Sequence, residues 1–261
     1  MYLMRRDTRK TAMPKRSELN PIILSEEESL PLLQNAPVIG GHRMHYGSNY
    51  TFLLALEAGK GTYLRSIYKP QAGERPLYDF PQGTLYKREY ATFLLSRALG
   101  WPNVPITLIR DGPHGVGMFQ LYIEADPYLT YFELSEQHRE TFQKFAVFDF
   151  LANNADRKGG HCLLGSDGLV WSIDHGLTFH ELLKVRSVML EFWGTEIPLS
   201  LLQDLEELRS HLSVGAELTR KLQEFLTDAE MDSLGQRLEF LLREGVYPVL
   251  DPGSDIPWPP V

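Results

Sequence analysis

The sequence predicts an α+β chain in two lobes. Strand-like runs joined by glycine turns fill its first half, amphipathic helical stripes fill its second, and one hairpin signal near residues 161–173 interrupts the helical part. A length of 261 residues fits a compact two-lobed body, and a hydrophobic content of 43% supports a buried core.

Residues 1–34 read as a flexible N-terminal arm. Arg5, Arg6, Arg9, Lys10, Lys15 and Arg16 make its start basic, and such clusters are usually solvated. Further on, Pro21-Ile22-Ile23-Leu24 offers an apolar docking point, and Ser25-Glu26-Glu27-Glu28 reads as the cap of a short helix.

Residues 35–124 read as a β-rich lobe with one helix. Runs at 50–57 and 62–69 make a hairpin across Ala58-Gly59-Lys60-Gly61. Ahead of it, Gly47, Ser48 and Asn49 form a loop able to bring backbone N–H groups near phosphate. Residues 85–99 place Tyr86, Tyr90, Phe93, Leu94 and Ala98 on one helical stripe, with Glu89 beside it. A second hairpin joins 104–109 to 116–123, and a Pro-rich loop at 71–83 is long enough to be functional.

Residues 125–250 read as a helical lobe. Its first helix, 135–153, buries Phe142, Phe145, Ala146 and Phe150, and three amphipathic helices follow near 199–212, 216–227 and 231–243. Residues 251–261 are a Pro-rich tail that does not continue a helix.

The most informative stretch is 150–179. Asp156 lies in a turn before Lys158-Gly159-Gly160. Short apolar runs then flank Gly165-Ser166-Asp167-Gly168, and Asp174 ends the second run ahead of Gly176. A hairpin brings its ends together, so the two carboxylates should be close. Carboxylates held side by side repel unless a cation separates them. Mg²⁺ suits such a place, taking one or two carboxylates plus phosphate oxygens. In phosphoryl transfer one Asp orients the acceptor hydroxyl and another holds the metal. The plainer alternative is a surface hairpin with two solvated acids.

Here the chain resembles the phosphatidylinositol 3-/4-kinase-like family, especially its type II phosphatidylinositol 4-kinase branch and that branch's small bacterial relatives. Asn154-Ala155-Asp156-Arg157 is similar to the family's Asn-Thr-Asp-Arg catalytic loop, and Ile173-Asp174-His175-Gly176-Leu177-Thr178-Phe179 to its Ile-Asp-Asn-Gly-Leu-Ala-Phe metal loop. Lys69-Pro70 followed by Gly73-Glu74-Arg75-Pro76 resembles the branch's Phe-Lys-Pro and Glu-Glu-Pro pattern.

The resemblance implies a two-lobed protein-kinase-like fold that uses ATP and Mg²⁺, with Mn²⁺ as an alternative. Asp156 and Arg157 would belong to the catalytic loop, Asp174 would bind metal, and Lys69 would meet the α/β-phosphates. Glu89 would pair with Lys69, and Gly47 and Ser48 match the family's Gly- and Ser-rich phosphate loop only loosely. The strand carrying Gln120 and Tyr122 would lead into the adenine-contacting hinge. Where the family has Asn as second metal ligand this chain has His161, a softer ligand that favours Mn²⁺.

A net charge of −8 argues against a general nucleic-acid binder, and also sits poorly with an anionic lipid surface. No apolar run reaches the ~18 residues of a transmembrane helix. The single cysteine, Cys162, excludes an internal disulfide framework and suggests a reducing cytoplasm. The expected activity is phosphoryl transfer from ATP to a hydroxyl of a protein or small molecule. An inositol-lipid kinase and a non-catalytic nucleotide-binding scaffold are the alternatives.

Overall fold

The computed structural model describes residues 19–44 and 49–261. A sheet-based lobe comes first. Its strands are β1 (Asn20–Ile22), β2 (Val38–Arg43), β3 (Phe52–Gly59), β4 (Thr62–Pro70), β5 (Thr107–Gly112) and β6 (Gly115–Leu121), and its helices are α1 (Glu26–Asn35) and α2 (Leu85–Leu99). The path β2-β3-β4-β6-β5 is antiparallel throughout, while β1 joins β4 in parallel. The β3–β4 turn depends on left-handed backbone at Gly59, Lys60 and Gly61, a conformation glycine adopts without Cβ strain.

Alternation along β3 and β4 sends Leu54, Leu56, Leu64 and Tyr68 to one face, where they bury against Leu33 of α1. Tyr63, Arg65, Ile67 and Lys69 take the other face, as alternation predicts.

The expectation of an arm reaching residue 34 fails for 19–34. Asn20 to Ile22 register with Thr62 to Leu64. Ser25 and Glu28 form a reciprocal capping box that starts α1, and Leu33 is wholly buried. The basic cluster of the first sixteen positions lies outside the described residues.

The helical lobe contains α3 (Tyr131–Leu134), α4 (Arg139–Leu151), α5 (Leu199–His211), α6 (Glu217–Gln223) and α7 (Asp228–Glu244), with the hairpin β7 (Cys162–Leu164) and β8 (Val170–Ser172) between α4 and α5. The helix expected over 135–153 starts later, because α3 ends at Leu134 and a turn fills the gap. α7 starts earlier than its stripe suggests, since Thr227 and Glu230 form a capping box; it ends at left-handed Gly245. Phe142, Phe145, Phe148, Leu205, Leu238 and Leu241 centre the core. Each such side chain contributes about 1.5–3 kcal/mol by burial.

Helix α2 is shared between the lobes. Its buried Ala91, Leu95 and Leu99 belong to the large-lobe core, whereas half-buried Phe93 packs on the sheet's cluster. Buried Arg88 pairs with Glu230 of α7 and donates to Thr178 O at 2.6 Å. The tail is not helical, as expected, but it is docked: Asp255 O accepts from Ser187 N at 2.9 Å, and Pro260 O from Gly159 N at 2.8 Å.

Candidate active site

Lys69 lies next to the end of β4, on the face away from the sheet's buried cluster and paired with Met118 of β6. Its Nζ donates to Glu89 Oε1 at 2.5 Å and to Asp174 Oδ1 at 2.8 Å. Burial alone would lower the ammonium's pKa, but the charges of Asp174 and Glu89 outweigh it and hold it above the ordinary value. Glu89 is 1% exposed; its second oxygen accepts from His175 N at 2.9 Å. A solvated local pair between Glu89 and Lys87 or Arg88 does not form.

Asp174 has a φ of 61°, which turns its carboxylate back toward Lys69. Half of that side chain, 49%, stays open to solvent. Burial pushes the carboxyl up, yet Lys69 and His161 prevail and keep it well below the usual range. Asp174 is therefore charged and accessible.

Asp156 sits across the hairpin. Asn154 Oδ1 accepts from its backbone N–H at 3.1 Å, and its Oδ2 lies 3.2 Å from Lys158 Nζ. Burial raises its pKa while Lys158 pulls it down, leaving it above the normal carboxyl value. His161 Nε2 lies 3.5 Å from Asp174 Oδ2. Burial drives the imidazole to about 4, so the ring is neutral at physiological pH.

Several expected residues stand elsewhere. Arg157 is not at the surface: it is 0% exposed and bridges the elements behind Asp156 and Asp174. It donates to both oxygens of Asp149 at 2.7 and 2.8 Å, to Ser172 Oγ at 2.7 Å, and to the carbonyls of His161 and Ile173 at 3.2 and 3.3 Å. Its third nitrogen also lies 3.0 Å from His175 Nε2. Arg157 thus braces both loops from the rear, with no surface of its own open to solvent.

Gln120 is buried with its amide donating to Thr107 Oγ1 at 2.9 Å, inside the sheet. Tyr122 lies under the Arg65 guanidinium, 4.7 Å from its ring centre, and Arg65 also pairs with Glu124. Both side chains are thus engaged within the protein, and Gln120 lies in a strand paired on both sides, with Ile67 and with Thr107. Gly47 and Ser48 lie outside the described residues.

Asp149 escaped the sequence reading, as did the parts played by Asn154 and Lys158, which entered it only within the motif and the turn. Asn154 Nδ2 donates to Asp149 Oδ1 at 2.9 Å, so the helix end, the turn after it and Arg157 form one buried network. The position of Asp149 on the α4 stripe among phenylalanines was the available signal, because a buried charge needs a partner.

The fold is that of a two-lobed kinase-like protein. The Golgi casein kinase, in a structure with Mn/ADP bound, superposes with a TM-score of 0.51 over 90% of this chain and 80% of that chain, at 16% identity. The Helicobacter pylori proinflammatory kinase CtkA does so with a TM-score of 0.51 over 81% of this chain and 93% of its own, at 11% identity. No protein-family model matches the chain. Protein Rv2133c of Mycobacterium tuberculosis is 38% identical over 252 residues, spanning 83% of this chain and 90% of that protein. The chain belongs to the family of Protein Rv2133c. No helix among the described residues is long and apolar enough to cross a membrane.

Proposed function

We propose that this protein is an ATP-dependent phosphotransferase, moving the γ-phosphoryl of metal-bound ATP to a hydroxyl of a protein or small molecule. The carrying observation is the ion-pair chain Glu89–Lys69–Asp174, which joins helix, sheet and metal loop beside Asp156. The narrower resemblance to the phosphatidylinositol 3-/4-kinase-like family rests on the loop motifs around Asp156 and Asp174.

In this reading Lys69 neutralises the α/β-phosphates, held in place by Glu89. Asp156 orients the acceptor hydroxyl and receives its proton, a role its raised pKa favours. Lys158, beside Asp156, adds positive charge where the transferred group passes. Asp174 would hold Mg²⁺ with neutral His161 alongside, and the ion would neutralise phosphate oxygens. Among the described residues no three His, Cys, Asp or Glu side chains cluster to hold a metal by themselves. That suits an ion taking most of its ligands from phosphate and water.

His161 supports a second reading, a nucleotide-binding scaffold without transfer. An imidazole replaces the amide oxygen the motif usually supplies, and its Nδ1 lies 3.5 Å from Lys158 N, leaving Nε2 toward Asp174. Labelled-ATP transfer with Mg²⁺ and with Mn²⁺ decides between them, using the protein itself, mixed proteins, small polyols and phosphatidylinositol vesicles as acceptors. Transfer to protein or polyol is expected. Labelling of vesicles alone would establish the lipid reading, and ATP binding without any transfer would establish the scaffold.

A further inference from the structure

We propose that Glu74 is a positioning residue for the nucleotide site: it caps α2 from outside the helix and so holds Glu89 against Lys69. This rests on the nucleotide-binding reading above. Helix α2 begins without a side-chain cap of its own. Thr84, its N-cap residue, donates its hydroxyl to Pro81 O at 2.7 Å, facing away from the helix N–H groups. The N–H of Tyr86 goes to Glu74 Oε1 instead, at 2.8 Å. A carboxylate there also meets the positive end of the helix dipole. Its other oxygen is buried without a hydrogen-bond partner. Burial raises the Glu74 pKa, with the N–H groups at the start of α2 opposing the rise.

The turn bearing Glu74 is anchored on its far side as well. Tyr50 N donates to Gly73 O at 2.9 Å, and Arg75 N donates to Asn49 Oδ1 at 2.7 Å. A Cβ on residue 73 would stand 2.6 Å from Tyr50 Cβ, so this close approach depends on glycine. Residues 73–75 therefore link three parts: Asn49 and Tyr50, the end of β4 just past Lys69, and the helix bearing Glu89.

Lys69 moves with β4 and Glu89 with α2, so their contact depends on how α2 is seated against the strand. Glu74 sets that seat a few residues from Lys69 along the chain. Without its carboxylate the first turn of α2 loses an acceptor, Glu89 is less firmly held, and Lys69 is drawn toward Asp174. Phosphate contacts should weaken while base contacts persist. The Gln71 Nε2 bond to Gly83 O, 3.1 Å, remains to close the loop in such a variant.

The test compares wild type, Glu74→Ala and Glu74→Gln by calorimetric titration with Mg·ATP and with adenosine. Amide hydrogen exchange over residues 86–89 of the ligand-free proteins accompanies it. Glu74→Ala is expected to weaken Mg·ATP by about tenfold with adenosine unchanged, and to speed exchange in that turn. Glu74→Gln keeps an oxygen for the Tyr86 N–H and should bring both readouts to within about twofold of wild type. Equal loss of ATP and adenosine, unchanged exchange in Glu74→Ala, or no recovery in Glu74→Gln each overturns the proposal. Wild type that binds neither ligand overturns the positioning role together with the phosphotransfer reading, a failure visible before any variant is compared.

Discussion

Replacing Arg157 with Ala is expected to remove about 3–5 kcal/mol of folding stability. The size follows from what is left behind. Arg157 is 0% and Asp149 1% exposed, so the deletion strands a carboxylate with no route to water. Asp149 keeps only the Asn154 amide, while Ser172 Oγ and the carbonyls of His161 and Ile173 lose a donor. An exposed pair such as Lys221–Glu217, both more than half exposed, is worth about 0–1 kcal/mol by comparison. Against a typical total of about 5–15 kcal/mol, the loss takes roughly a fifth or more of the folding free energy. Urea denaturation followed by tryptophan fluorescence measures it. The Asp149→Leu/Arg157→Met double variant removes both charges and should recover much of the loss. It should still bind Mg·ATP more weakly than wild type, because the loops of His161 and Asp174 lose their brace. A loss below about 1 kcal/mol for Arg157→Ala, or a double variant less stable than either single one, would refute the reasoning.

Asp174→Asn should abolish metal-dependent stabilisation by ATP in a thermal-shift titration, because it removes a charged oxygen. Asp156→Asn should leave that stabilisation nearly intact and cut transfer by about 10²-fold or more, so equal loss of binding in both would contradict the division of roles. His161→Asn should preserve or raise transfer with Mg²⁺ and reduce any preference for Mn²⁺, read from initial rates with each ion. Cys162 is wholly buried with its thiol pushed up to about 12, so a thiol reagent should label it only after unfolding; prompt labelling of the native protein would contradict the packing.

The β7–β8 hairpin was legible because its signals are local: acids at both ends, a Gly-Ser-Asp-Gly turn and apolar runs of strand length. Strand phase set the face of Lys69 and the helix stripe set the place of Glu89, while their pairing, twenty positions apart in the chain, was implied by the family resemblance. Arg157 entered through the resemblance to the family's Asn-Thr-Asp-Arg loop, which does not announce that its side chain is buried. Its burial depends on Asp149 from the preceding helix, a pairing no local period announces. The segment 19–34 looked arm-like because its strand is only three residues long and pairs with β4 some forty positions later. Such parallel pairing leaves no turn signal between the partners. Gln120 and Tyr122 fell on an informative strand, but alternation assigns a face without revealing that Thr107 and Arg65 already occupy them.

The packing of α2 makes it the common property of both lobes. The covalent chain assigns the helix to the first lobe, and Phe93 and the Glu74 carboxylate tie it to the sheet. Yet Ala91, Leu95 and Leu99 are sunk in the core of the second, and Arg88 is bolted to Glu230. The helix thus acts as a rivet driven through both halves. A disturbance on either side, in the sheet or in α7, reaches Glu89 through the same element without touching Lys69 directly.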